Sequence, residues 1–135
     1  MALRIRSIRP EMLDDEALCS TSVGAGLLAY GLVHLADDDG RFRAAPAFLR
    51  ARVFAYRPYV SADDVAEWIG ELAACGFVDL YRVDGQTYGW MPKWRKHQRI
   101  DKPSPSLLPD PHEQRDSGEF DERSANVPRG LAEAS

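Results

Sequence analysis

The sequence predicts an α+β domain, a core of three helices closed by a C-terminal β-hairpin. Three observations carry this expectation. Val65, Trp68, Ile69 and Leu72 recur at helical spacing behind Ser61-Ala62-Asp63-Asp64, which has the form of a helix cap. Asp84-Gly85 separates two alternating segments, and a two-residue Asp-Gly link is the strongest local signal for a hairpin. After Pro103 the composition turns to Pro, Ser, Asp and Glu with few large apolar side chains. The domain is therefore expected over residues 1–103 and a Pro-rich, acidic, disordered tail over 104–135. With 135 residues, 44% hydrophobic and 28% charged, the chain can fill one core but not two.

Each element has its own residues to justify it. Leu3, Ile5 and Ser7 alternate with Arg4, Arg6 and Ile8 in a short extended segment that sets two arginines on one side, until Pro10 stops it. Residues 11–20 have room for a helical turn or two. Ser20-Thr21-Ser22 offers N-caps to a helix over roughly 22–36, in which Leu27, Leu28, Leu32 and Leu35 make an apolar face, and Asp37-Asp38-Asp39-Gly40 ends it. Arg41-Phe42-Arg43 reads as a very short strand, its aromatic to one side and its arginines to the other.

Pro46 suits the first position of a second helix through about Phe54, which contributes Phe48, Leu49 and Val53 to the core and leaves Arg50 and Arg52 outside. The third helix starts at the Ser61 cap and stops at Gly76, a C′ residue. Residues 77–83 and 86–91 then pair across Asp84-Gly85, which sets Tyr81 opposite Tyr88 and Asp79 opposite Trp90.

The net charge of −4 is unevenly distributed. Residues 1–109 carry fourteen basic and fourteen acidic side chains, whereas the last twenty-six carry three and seven. Within the neutral body, Lys93, Arg95, Lys96, Arg99 and Lys102 face the single acid Asp101, a local charge of +4 suited to neutralising phosphates. Nucleic acid is the partner this cluster implies.

Helix, short strand, helix, helix, hairpin is the order of a winged helix-turn-helix domain, the hairpin being the wing. Four stretches make the likeness more specific: Arg4-Ile5-Arg6-Ser7-Ile8-Arg9-Pro10-Glu11; Leu35-Ala36-Asp37-Asp38-Asp39-Gly40-Arg41; Glu67-Trp68-Ile69 with Leu72 and Gly76-Phe77; and Lys96-His97-Gln98-Arg99-Ile100-Asp101-Lys102-Pro103. Over roughly residues 3–109 the chain resembles the N-terminal winged-helix domain of phage and prophage replication proteins of the DnaD-like replisome-organiser type. The resemblance implies a DNA-binding and assembly module acting in replication initiation or its regulation. It also implies double-stranded DNA as a partner, replisome or helicase-loading proteins as others, and self-association into a homodimer.

DNA contact is expected at Lys93, Arg95, Lys96, Arg99 and Lys102 through phosphates, with His97 and Gln98 donating hydrogen bonds. Arg4, Arg6 and Arg9 form a smaller basic group, and Arg41 and Arg43 another, extended by Arg50, Arg52 and Arg57; Arg82 lies near the hairpin tip. Trp94 and the face formed by Tyr81, Tyr88 and Trp90 read as packing. The third helix would be the recognition helix by position. It nevertheless carries Asp63, Asp64, Glu67 and Glu71 and no Lys or Arg, so a major groove would repel it from both walls. Glu67 and Glu71 are instead the expected protein-contact residues, while Asp63 and Asp64 suit the positive end of the helix dipole.

Other chemistries fail on spacing. Asp37-x-Asp39-Gly40 opens like a calcium loop, but Phe48 stands where the bidentate Glu belongs. Gly24-Ala25-Gly26 lacks the third glycine and the preceding strand of a dinucleotide fingerprint. His34, His97 and His112 form no ligand pattern, and His34 is expected to serve as a helix side chain with a local partner. Cys19 and Cys75, with no Cys-x-x-Cys, read as small buried or half-buried residues in a reducing compartment. No apolar run reaches the ~18 residues of a membrane span, so a cytoplasmic protein without membrane contact, catalysis or cofactor is expected. Against the DNA-binding reading stand a protein-interaction module of the same fold that has lost DNA binding, and a transcriptional regulator.

Overall fold

The computed structural model describes residues 3–112 and Asp116. Among these residues the chain forms an α+β fold of five α-helices and one three-stranded antiparallel sheet. A 3-10 turn at Pro10–Asp14 leads into α1 (Glu16–Cys19), where the Asp15 side chain accepts from Leu18 N. Helix α2 (Val23–Leu35) starts on the Ser22 hydroxyl, which accepts from Ala25 N at 3.2 Å. Its buried face runs through Ala25, Leu28, Ala29, Leu32 and Leu35. Leu27, expected on that face, is exposed. The physical reason is that α2 is apolar nearly all round, so spacing alone does not single out the side that packs.

Strand β1 (Arg41–Arg43) buries Phe42, and Pro46 occupies the first turn of α3 (Pro46–Val53). Phe48 and Val53 pack only at the edge of the core, whereas Leu49 is fully buried. Arg50 is not simply outside: its Nε donates to the Val60 carbonyl at 2.8 Å and ties α3 to the following turn. Helix α4 (Ala62–Ala74) opens on a complete capping box, with Asp64 N donating to Ser61 Oγ and Ser61 N donating to the Asp64 carboxylate, both at 3.0 Å. It ends with Phe77 N on Leu72 O and Gly76 N on Ala73 O, the two bonds of a Schellman motif. Val65, Ile69 and Leu72 turn inward onto α2 and α3.

Strands β2 (Asp79–Val83) and β3 (Gln86–Trp90) pair in the register the turn implies, Tyr81 against Tyr88 and Asp79 against Trp90. Both turn residues have positive φ, 51° at Asp84 and 76° at Gly85, the geometry of a type I′ turn. Strand β1 joins the outer side of β3, giving the order β1-β3-β2. One sheet face, with Phe42 and Leu80, covers the helical core; the other carries Tyr81, Tyr88 and Trp90.

The basic segment is not a free strand end. Trp94–His97 forms a short helix, α5, anchored by Trp94. Residues 104–112, which composition assigns to the tail, lie against the body: Leu108 packs on Tyr81 and Tyr88, Tyr81 Oη donates to Pro109 O at 2.8 Å, and His112 meets Trp90 edge-on. The remainder of the expected tail, apart from Asp116, lies outside the described residues.

Candidate nucleic-acid interface

Three successive carboxylates decide where the cations point. The Asp37 side chain is buried in the turn after α2, accepting from Asp39 N and Arg41 N at 3.0 Å each and from the Ser106 hydroxyl. Asp38 takes the guanidinium groups of Arg4 and Arg6 at 2.8 and 2.9 Å and the Ser104 N–H at 2.9 Å. Asp39 accepts from Arg95 at 3.1 Å and from Ser106 N at 3.2 Å. One turn thus clasps the N-terminal segment, α5 and the start of the C-terminal segment. Gly40 completes it: its φ of 78° suits glycine, and a Cβ there would lie 2.6 Å from Trp94 Cγ.

This clasp divides the expected DNA-contact residues. Arg6 is internal, its side chain 7% exposed, paired with Asp38 and stacked over the Trp94 ring at 5.1 Å. Arg4 shares the same carboxylate. Arg41 donates to Leu108 O and reaches the Asp110 carboxylate at 3.4 Å. Arg9 Nε donates to His97 O, and Gln98 Nε2 to Ser7 O, so both fasten α5 to the N-terminal segment. Arg43 remains on the surface, its guanidinium 5.9 Å from the centre of the Tyr88 ring. Arg82 bends back to Gly85 O at the hairpin tip.

What remains outward is concentrated on and after α5. Lys93, Lys96, Arg99 and Lys102 are exposed and make no ion pair with any described residue. Arg95 is 80% exposed, so its contact with Asp39 is a weak surface pair. His97 is half-buried beside them. Trp94 fixes their position: it is 4% exposed, and its Nε1 donates to Asp38 O at 2.9 Å. It is a packing residue, as the sequence implies.

The acidic helix also divides. Glu71 accepts from both Ser22 N and Ser22 Oγ at 2.8 Å, which ties α4 to the start of α2 and commits this carboxylate within the fold. Glu67 is exposed and Asp63 projects from the first turn. His34 has the local partner expected of it, Nδ1 lying 2.8 Å from Arg4 O. Cys19 is exposed and Cys75 half-buried, and neither is in a disulfide. Among the described residues there is no group of three or more metal-ligating side chains, and no helix is long and apolar enough to cross a membrane.

The clasp has a pH signature. Ser104 N–H and the Arg6 guanidinium, with further help from Arg4, hold the Asp38 carboxyl below the usual carboxylate range. A depressed folded value means that this contribution to stability is complete above the unfolded value, about pH 4, and is lost as pH falls through the folded one. Wild type is therefore expected to lose thermal stability more steeply than Asp38→Asn on acidification from about pH 5 to about pH 3. Parallel melting curves check this. Equal slopes would show that Asp38 has no such role.

No protein-family model, no curated protein and no solved structure matches the chain.

Proposed function

We propose that this chain is a winged helix-turn-helix protein that binds double-stranded DNA through residues 93–102, acting in replication initiation of the phage or prophage type or in its regulation. The observation that carries the reading is the exposed set Lys93, Lys96, Arg99 and Lys102, held in place by the buried Trp94. Helix, strand, helix, helix and hairpin, with β1 returning to β3, supply the scaffold on which such a flank is presented. Two of the four stretches that resemble the replisome-organiser domain meet at the aspartate turn, through Arg4 and Arg6 on Asp38, and a third is bonded to the first of them through His97 and Gln98 on Arg9 and Ser7. Their co-occurrence has a physical basis in those contacts.

Phosphate contact is charge neutralisation with counterion release, so it registers in salt dependence. Replacing Lys93, Lys96, Arg99 and Lys102 together by Ala is expected to weaken binding to a random duplex at ~150 mM salt. It should also flatten the plot of log affinity against log salt by about 3 to 4, at ~0.9 per phosphate contact. An unchanged slope overturns the assignment of these four residues. Helix α4 takes a different part in this reading, because its exposed Asp63 and Glu67 suit a basic protein partner rather than a groove lined by phosphates.

A further inference from the structure

At the hairpin tip the chain is already holding an anion. Asp84 N and Gly85 N donate to the two oxygens of the Asp116 carboxylate at 2.8 and 3.1 Å, one bond to each, and Asp116 N returns a bond of 2.7 Å to Arg82 O. The two N–H groups of the type I′ turn converge on that one carboxylate, and successive backbone N–H groups in a turn form a concavity that binds anions. Asp84 and Gly85 are exposed, and the Arg82 guanidinium, donating to Gly85 O, places a cation beside them.

Other C-terminal residues also lie on the body. Leu108 is seated on Tyr81 and Tyr88, Asp110 reaches Arg41, and Ser106 is bonded to Asp37. The described C-terminal residues thus place one carboxylate on Arg41, expected to meet DNA, and another at the hairpin tip beside Arg82. A carboxylate and a phosphate are interchangeable to such donors, since each presents paired oxygens bearing negative charge.

We propose that the hairpin tip is an anion-binding nest for a DNA backbone phosphate, and that Asp116 occupies it as a competitor carried in the same chain. The proposal rests on the DNA-binding reading and adds its regulation: DNA binding at the tip requires Asp116 to leave, and any modification or partner that draws the C-terminal segment away strengthens binding. The tip and the basic segment after α5 are then separate contacts, one masked and one open.

The test uses the full chain as wild type, Asp116→Ala, and Asp14→Asn, which removes one negative charge from an exposed site away from the tip. Random-sequence duplex is titrated over a range of salt, and the Asp84 and Gly85 amide resonances are followed as inorganic phosphate is added. Asp116→Ala is expected to bind duplex about tenfold more tightly than wild type and with a salt slope steeper by about 0.9, one additional phosphate. Its two tip amides should shift saturably with phosphate while those of wild type stay put. Equal affinity and slope for Asp116→Ala and wild type, with DNA binding itself intact, overturns the proposal and leaves the DNA-binding reading standing. Equal tightening by Asp14→Asn overturns it too, because general charge would then be the cause. If no variant binds duplex, the DNA-binding reading fails and with it the competition, whereas the amide shifts still decide whether the tip is a nest. Absence of those shifts in Asp116→Ala overturns the nest.

Discussion

Leu72→Ala is expected to destabilise the domain by about 2–5 kcal/mol and to lower its melting temperature by about 10 °C or more. Leu72 is fully buried where α4 meets α2 and α3, in one cluster with Leu28, Leu32, Leu49 and Ile69. Its carbonyl also receives the Phe77 N–H that closes the helix, so the backbone at this position is held and cannot collapse into the space that Ala would leave. A domain of this size has only about 5–15 kcal/mol in total, so the loss is a large fraction of it. Leu107→Ala provides the contrast: at 96% exposure its removal should stay within about 0.5 kcal/mol. Denaturant unfolding of both variants checks the pair. A Leu72→Ala midpoint equal to that of Leu107→Ala would show that α4 does not pack as described.

Leu72 and the hairpin were legible for the same reason: their determinants are local. The cap, the apolar spacing and the terminal glycine of α4 lie within sixteen residues, and Asp84-Gly85 fixes the register of β2 and β3. The face of α2 was less legible, because Val23, Leu27, Leu28 and Leu32 give several plausible stripes and tertiary packing selects the one through Ala25 and Ala29. The site was legible in composition only. A count of cations could not separate Lys96 and Lys102, which stay outward, from Arg6 and Arg41, whose partners Asp38 and Asp110 lie at least thirty residues away. Likewise Ser and Asp after Pro103 read as disorder when their hydrogen-bonding partners are unknown, yet Ser104 and Ser106 find acceptors on Asp37, Asp38 and Asp39. The available signal was the run of three aspartates itself. Its charge sits in a body whose nearest cations in sequence are Arg41 and Arg43 on a strand that points them elsewhere, so longer-range partners were needed.

Trp94→Ala is expected to cost about 3–5 kcal/mol, and its effect should reach beyond the core. The indole touches several parts of the clasp at once: Gly40 lies against one part of it, Arg6 stacks on it, and Nε1 holds the Asp38 carbonyl. Removing it leaves the Arg6 guanidinium without its stacking partner and the Asp38 carbonyl without its donor. It also frees α5 from the body that aims Lys93, Lys96 and Arg99. Trp94→Phe separates these effects, since the ring keeps most of the packing and only the N–H is lost, a cost of about 1–3 kcal/mol for the unmet carbonyl. The expected order of denaturation midpoints is wild type, then Trp94→Phe, then Trp94→Ala. If the cations act from a fixed position, duplex affinity measured where all three proteins remain folded should follow the same order, because presenting them from a loosened segment adds an ordering cost on binding. Full stability in Trp94→Ala would show that the clasp holds without its indole, and undiminished DNA affinity in a destabilised Trp94→Ala would show that the basic segment binds as a flexible arm.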